Sequence, residues 1–168
     1  MFGAGPKRAR LVLVGEQPGD VEDRRGRPFV GPAGRVLWEC VEEAAIDRDD
    51  LWATNAVKHF KHEQRGKRRL HKRPDTGEIE ACHPWLHAEL RIIRPSVVVA
   101  LGAVAGRSLT GRPVPIAASR GQHFELGDAT LLVTYHPSAV LRADDRAAEV
   151  RAALVEDLVA ARELLGAR

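Results

Sequence analysis

Four short apolar runs along the chain predict the strands of a sheet. Residues 11–14, 51–55, 97–101 and 131–135 are rich in Leu, Val and other apolar residues, and each run stops at a glycine or a polar residue. The run at 97–101 contains three consecutive valines and no polar residue. That composition is typical of a strand buried on both faces of a parallel sheet.

Between these runs, apolar residues recur every three or four positions and predict amphipathic helices. This spacing covers residues 33–44, 76–93 and 150–165, and residues 102–109 predict a shorter helix. The stretch 59–75 has no apolar period and predicts a long surface loop, of a kind that is usually functional or disordered. The alternation of strands and helices favours an α/β fold, with a mainly parallel sheet and helices on both faces.

The composition is that of a single domain. A chain of 168 residues is long enough for one hydrophobic core and does not require a second. No apolar run approaches the roughly 20 residues of a membrane span, and the N-terminus does not resemble a signal peptide. Cys40 and Cys82 are too few for a disulfide framework. We therefore expect a cytoplasmic monomer that does not contact membranes.

Positive charge is concentrated in one segment. Residues 58–73 carry eight Lys or Arg residues against Glu63 alone, whereas the whole chain has a net charge of only +3. The remainder is therefore acidic, and a basic block on an acidic chain indicates a polyanion partner, with nucleic acid favoured. A solvated loop without a partner is the alternative.

The predicted strands end in residues that can carry chemistry. The ends are Glu16 with Gln17, Asn55, Gly102 and His136. Because parallel strands bring their carboxyl ends to one edge of a sheet, these side chains are expected around one crevice. Asn55 offers both a donor and an acceptor, as reading a base edge requires.

Phe29 lies in a loop flanked by glycine and proline, just before a predicted helix. There it can provide a stacking face for a base. Burial as a core residue is the alternative, since aromatic side chains bury large areas wherever they lie.

Several common catalytic motifs are missing from the sequence. It contains no G-x-x-x-x-G-K-[ST] loop, no G-x-S-x-G elbow and no paired cysteines with the spacing of a zinc module. Gly102 and Gly106 do not form a dinucleotide fingerprint. These absences argue against a P-loop nucleotidase, an α/β-hydrolase and a Rossmann dehydrogenase.

Five motifs, taken in order, resemble the uracil-DNA glycosylase superfamily and specifically its UdgX type. They are Gly-Glu-Gln-Pro-Gly-Asp at 15–20, Gly-Arg-Pro-Phe-Val-Gly at 26–31, Asn55, Lys-Arg-Arg-Leu-His-Lys at 67–72 and His-Pro-Ser at 136–138. The basic motif is the one that distinguishes UdgX. The resemblance extends from about residue 2 to residue 165. It implies a single domain over residues 1–168, folded as a three-layer α/β/α sandwich with a central four-stranded parallel sheet.

The resemblance also implies the chemistry of uracil excision. The enzyme would flip a deoxyuridine out of DNA, with Phe29 stacking on the base and Asn55 bonding its Watson-Crick edge. His136 would bond O2, where negative charge develops as the glycosidic bond breaks. Gln17 and Asp20 are further expected uracil contacts. Gln17 occupies the place where related enzymes often have an Asp that assists water, and a carboxamide cannot act as a base.

UdgX-type enzymes remain covalently attached to the DNA from which they remove uracil. By resemblance, His71 attacks C1′ and leaves the protein covalently joined to the abasic site, and Glu16 orients or deprotonates that imidazole. The predicted DNA contacts are Lys67, Arg68, Arg69, Lys72 and Ser138, with the first three also holding the loop. A binder of uracil-containing or single-stranded DNA, without chemistry or with conventional turnover, is the alternative. Single-stranded DNA containing uracil is the expected partner.

The family carries a [4Fe-4S] cluster that this sequence matches only in part. Cys82 corresponds to one ligand and His59 to another, where imidazole replaces thiolate, while the N-terminal pair of cysteines is absent. Either the cluster has been lost or the 168 residues begin downstream of the true start, so that the cluster-binding segment is missing. The excision chemistry itself does not require the cluster.

Overall fold

A parallel sheet lies at the centre of the computed structural model, which describes residues 1–166. The last two residues of the expected domain 1–168 lie outside the described residues. The strands are β1 (Leu11–Gly15), β2 (Leu51–Asn55), β3 (His62–Arg65), β4 (Arg68–His71), β5 (Val97–Leu101), β6 (Phe124–Leu126) and β7 (Ala129–Thr134). The helices are α1 (Asp20–Arg25), α2 (Pro32–Glu43), α3 (Thr76–Ile93), α4 (Ala103–Thr110), α5 (Ile116–Ser119), α6 (Pro137–Leu141) and α7 (Ala147–Gly166), with short 3₁₀ turns at Arg48–Asp50 and Asp144–Arg146.

The four predicted strands form the parallel part of this sheet. Within residues 1–166 the sheet has the order β2-β1-β5-β7-β6, in which the first four strands run parallel. The fold class is confirmed, with one addition at the edge. Strand β6 pairs antiparallel with β7 across a turn at Gly127 and Asp128. Three residues are too few to produce a recognisable alternation in the sequence.

The sheet is buried on both faces at its centre, because β1 and β5 contain no polar side chain. Leu11 and Leu13 pack against α2 and α7, whereas Val12 and Val14 pack against α3 and α4. All four side chains are fully buried. A side chain of this size contributes about 1.5–3 kcal/mol when it leaves water completely. The helices of the two faces and the sheet between them form the three expected layers.

The basic stretch does not form the irregular loop that its lack of apolar period predicts. Strands β3 and β4 pair as an antiparallel hairpin, with Arg65 opposite Arg68 and His62 opposite His71. Gly66 has φ 58° at the first position of the two-residue turn, where glycine is favoured. The hairpin strands are mostly exposed and polar, so hydrophobic patterning gives no signal for them.

The N-terminal residues cover the outer edge of β2. The backbone amide of Ala4 donates to the carbonyl of Ala53 at 2.9 Å, and the amide of Ala53 donates back at 2.9 Å. Gly3 and Gly5 allow the close approach, since a Cβ at either would lie within 2.7 Å of β2 backbone atoms. Among residues 1–166, no helix has the length and apolar character needed to cross a membrane.

Candidate active site

The predicted crevice lies at the carboxyl edge of the parallel strands. Its volume is about 740 Å³. The predicted residues that line it are Glu16, Gln17, Asp20, Phe29, Asn55, His71, Gly102, His136 and Ser138. Residues from all four parallel strand ends and from the hairpin therefore meet at one place.

Phe29 forms one wall of the crevice and is also part of the core. Its side chain is 5% exposed, and its ring makes an edge contact with Trp38 at a centroid distance of 6.4 Å. The indole nitrogen of Trp38 donates to the Phe29 carbonyl at 2.9 Å, which holds the residue at φ 53°. The stacking and core interpretations of Phe29 are thus compatible, because one face is packed and the residue still lines the cavity.

Gly15 allows Phe29 and Asn55 to approach each other. A Cβ at Gly15 would lie 2.4 Å from Asn55 Oδ1 and 2.7 Å from Phe29 Cζ. Any side chain there would displace one of the two groups. The glycine at the end of β1 is therefore required by the shape of the crevice, in addition to its role in ending the strand.

His136 is held in one tautomer by the helix that follows it. Its Nδ1 accepts a hydrogen bond from the Ser138 amide at 3.1 Å and lies 2.8 Å from Ser138 Oγ. Arg142 donates to the same hydroxyl at 2.9 Å, so the hydroxyl proton turns towards Nδ1. Because Nδ1 is an acceptor, the single proton of the neutral ring is on Nε2.

Burial lowers the pKa of His136 to about 4, and the positive charge of Arg142, together with that of His71 when protonated, acts in the same direction. The imidazole is therefore neutral at physiological pH. A neutral imidazole with its proton on Nε2 can donate to a carbonyl oxygen on which negative charge is developing.

His71 projects from the end of β4 over the rim of the crevice. Its Nε2 lies 3.4 Å from Glu16 Oε1, and its side chain is 51% exposed. Burial raises the pKa of Glu16, against the opposing effect of His71 when protonated and of the positive charges of Arg73 and Arg142. The carboxylate and the imidazole that were predicted to act together are thus neighbours.

Gln17 fastens the hairpin to the sheet. Its Nε2 donates to the carbonyls of Lys72 at 2.9 Å and Lys61 at 3.3 Å, and its Oε1 accepts from the Lys61 amide at 3.1 Å. The carboxamide joins the two strands of the hairpin at their open end. These contacts favour a positioning role for Gln17 over the direct uracil contact that the resemblance implies.

Asp20 and Arg69 make a second attachment. Arg69 Nε donates to Asp20 Oδ1 at 2.5 Å and Nη1 donates to Asp23 Oδ2 at 2.6 Å. Hydrogen bonds from Arg24 and Arg69 lower the pKa of Asp20. Arg69 thus serves the loop-holding part of its prediction, with its guanidinium engaged by carboxylates. Asp20 borders the crevice with its carboxylate turned to these arginines.

The remaining predicted DNA contacts lie on the outside of the hairpin and at its base. Lys67 and Arg68 are exposed at the turn, and Lys72 forms an ion pair with Glu63 at 3.0 Å. Sequence reasoning missed several further residues of the crevice, among them Arg73, Tyr135, Leu141 and Arg142. These four residues lie within a few positions of the 67–72 or 136–138 motif, and that closeness in sequence is the signal that could have identified them.

The described residues do not supply the ligands of an iron-sulfur cluster. Cys82 is buried on α3, where its sulfur accepts from the Lys58 amide at 3.3 Å, whereas His59 is exposed. Cys40 is fully buried on the other face of the sheet, as expected of a small core residue. No three His, Cys, Asp or Glu residues within 1–166 converge as a metal site would require. A four-ligand cluster does not fit this set of donors.

The comparisons with known proteins agree with this arrangement. The sequence profile of the Uracil DNA glycosylase superfamily matches residues 2–159, and the chain belongs to that superfamily. It is 39% identical over 167 residues to the Type-4 uracil-DNA glycosylase of Thermotoga maritima, covering 98% of this chain and 82% of that protein.

Two further relatives are similar over much of the chain. A Type-4 uracil-DNA glycosylase of Pyrobaculum aerophilum is 34% identical over 148 residues, which is 83% of this chain and 72% of that protein. A Type-5 uracil-DNA glycosylase of Mycobacterium bovis is 30% identical over 154 residues, which is 81% of this chain and 56% of that protein. The predicted superfamily is confirmed, and the UdgX type stays a prediction.

Proposed function

We propose that this protein acts as a uracil-DNA glycosylase that captures its own product through a covalent bond between His71 and C1′ of the abasic sugar. Membership of the superfamily supports the excision of uracil. The observation that carries the capture step is the position of His71. It lies on the rim of the crevice that Phe29, Asn55 and His136 line, with Glu16 Oε1 3.4 Å from its Nε2.

Three side chains are suited to a flipped uracil. Phe29 offers a ring face, Asn55 offers a donor and an acceptor for the base edge, and His136 Nε2 offers a neutral donor for O2. Such donors, when held in place before the reaction, are often the largest single contribution to catalysis. Flipping costs a few kcal/mol and costs least in single strands, which supports single-stranded DNA as the preferred substrate.

The capture step balances without any additional reagent. The C1′–N1 bond breaks and its electron pair leaves with uracil. One ring nitrogen of His71 gives its lone pair to C1′, and the proton on the other nitrogen passes to a base and finally to the uracil anion. Glu16 is in place to accept that proton and to stabilise the positive charge on the sugar and the ring.

The experiment uses a single-stranded oligonucleotide that contains one uracil. After incubation with the protein, we expect a band on a denaturing gel that survives heating and contains both protein and DNA. Changing His71 to Ser removes the nucleophile, so the band should disappear while water still releases some uracil. The matched control is His62→Ser, which changes the residue opposite His71 in the hairpin. The contact between His71 and Glu16 is kept in this variant.

Each alternative outcome indicates a different activity for this protein. A band that persists in His71→Ser shows that another residue is the nucleophile. Uracil release without a band indicates conventional turnover, in which water completes the reaction. Retention of DNA with neither a band nor released uracil indicates a binding protein.

A further inference from the structure

A lysine with no part in the chemistry described above is buried directly behind Asn55. The Lys58 side chain is 4% exposed, and its ion-pair partner Glu89, on α3, is 8% exposed. Removing a lysine and a carboxylate from water is costly, and apolar residues of similar volume often stabilise a fold equally well. A contribution to stability therefore does not by itself explain why Lys58 and Glu89 are buried here.

The contacts of the Lys58 ammonium converge on the end of β2. It donates to the Asn55 carbonyl at 2.7 Å, to Thr54 Oγ1 at 2.9 Å and to Glu89 Oε2. All three ammonium protons are thus used. Thr54 Oγ1 also donates to Glu89 Oε2 at 2.8 Å, so the three side chains form a closed network.

The network is closed on its outer side by the N-terminal segment. Glu89 Oε1 accepts from the Gly3 amide at 2.6 Å, and the α-amino group of Met1 donates to the Lys58 carbonyl at 2.5 Å. The network is therefore shielded from water, and its hydrogen bonds are stronger in this interior than they would be in solvent.

We propose that Lys58, held by Glu89, is a positioning residue that fixes the Asn55 carboxamide for reading uracil. This inference rests on the proposed role of Asn55 as the residue that binds the base edge. The bonded carbonyl belongs to the same residue as the carboxamide, so the ammonium fixes the backbone from which that side chain projects. The opposite side is already tight, because the site of a Gly15 Cβ lies 2.4 Å from Asn55 Oδ1.

Correct orientation matters because uracil and cytosine present opposite patterns on this edge. Uracil offers an N3–H donor beside an O4 acceptor, whereas cytosine offers an N3 acceptor beside an amino donor. A carboxamide that is free to shift or turn loses the pairing with uracil and its bias against cytosine. Displacements of about 1 Å in such groups can cost a factor of about 100 in rate.

The test separates positioning from stability with a double variant. Lys58→Met alone leaves the Glu89 carboxylate buried without its cation and should lower the melting temperature. In Lys58→Met/Glu89→Gln both charges are gone. The Gln oxygen can still accept from the Gly3 amide while its NH2 group donates to Thr54 Oγ1, so we expect the melting temperature to recover. The Asn55 carbonyl has still lost its donor.

We expect the refolded double variant to remain defective in reading the base. The inhibition constant of free uracil should rise about 10- to 100-fold, and kcat for uracil release should fall by a similar factor. KM for DNA should change little, because phosphate contacts dominate DNA affinity. Arg151→Met is the control, since it removes a surface ion pair with Glu43 between α7 and α2, on the opposite face of the sheet from α3, and should leave all three quantities unchanged.

Asn55→Ala serves as the reference for complete loss of base reading. If Asn55→Ala leaves the uracil inhibition constant unchanged, the proposed role of Asn55 is wrong. If Asn55→Ala raises it but a stable double variant does not, the positioning role of Lys58 is wrong while that of Asn55 survives. Should the double variant not fold, Glu89→Gln alone is expected to show a smaller change in the same direction, and an unchanged inhibition constant would again reject the inference.

Discussion

At the scale of single residues, the crevice depends on which atoms are left out as much as on which are present. Gly15 has no Cβ, and the space goes to Asn55 Oδ1 and the Phe29 ring. Phe29 adopts φ 53°, a conformation that costs a non-glycine residue about 1–2 kcal/mol. The hydrogen bond from Trp38 and the buried ring compensate this cost.

The tautomer of His136 leads to a prediction about pH. Burial lowers the pKa of His136 from 6.5 to about 4, so the ring should stay neutral and keep its Nε2 proton well below pH 6. An NMR titration of the ring Cε1 proton should show its midpoint near pH 4. A midpoint near 6.5 would contradict both the burial and the neutral donor.

The same shift has a consequence for stability with a definite sign. Between about pH 6.5 and 4 the unfolded chain binds a proton at this position and the folded chain does not. The contribution of His136 to the free energy of unfolding therefore falls as the pH drops through this window and is constant above it. Comparing melting temperatures of wild type and His136→Asn across the window isolates the effect, because the other titrating groups are shared.

At the scale of elements, the hairpin of β3 and β4 is the part that most affects the proposed capture. Three features attach it to the rest of the protein: the Gln17 carboxamide, the carboxylates that hold Arg69, and the Phe60 ring. The Phe60 ring lies 6.2 Å from the His71 ring and 5.2 Å from the Arg69 guanidinium. A nucleophile must be held close to its target, and these attachments provide that restraint.

Removing the Gln17 attachment should affect capture more than excision. Gln17→Leu keeps the size of the side chain and loses its hydrogen bonds to Lys61 and Lys72. We expect the yield of covalent adduct to fall about 10- to 100-fold, because His71 is less well placed, while uracil release falls much less. Adduct and free uracil are measured in the same reaction.

Arg65→Met provides the control for this prediction. Arg65 is on the same hairpin and pairs only with Glu63, at 3.2 Å, among its described ion pairs. Adduct yield should be unchanged in that variant. If Gln17→Leu instead lowers uracil release as much as adduct yield, Gln17 contacts the base directly, as the family resemblance implies.

Prediction from the sequence succeeded where hydrophobic patterning determines structure. The boundaries 51–55, 76–93 and 97–101 agree with β2, α3 and β5, because these elements are buried and their apolar positions are regular. The hairpin was missed because polar, exposed strands carry no such pattern. The attachment role of Gln17 was also out of reach, since it depends on backbone atoms more than 40 residues away in sequence.

At the scale of the whole molecule, the structure shows where the basic residues of the 58–73 segment lie relative to the crevice. Arg73 and Arg142 line the crevice, and Lys67 and Arg68 are exposed at the turn of the hairpin whose other end carries His71. None of these four cations is in an ion pair with another side chain in residues 1–166, unlike Arg69 and Lys72. They are the groups that remain available for phosphates.

The salt dependence of DNA binding tests this count of available cations. Four phosphate contacts to a single strand should give a slope of about −3 in log affinity against log salt concentration. Lys67→Ala should reduce the slope by about 0.7, measured by fluorescence anisotropy with a uracil-free oligonucleotide so that no chemistry intervenes. Arg91→Ala, in the last turn of α3, is the control and should leave the slope unchanged. If Lys67→Ala leaves the slope unchanged, the DNA does not contact the hairpin turn, and Arg73 and Arg142 are the cations that guide the strand into the crevice.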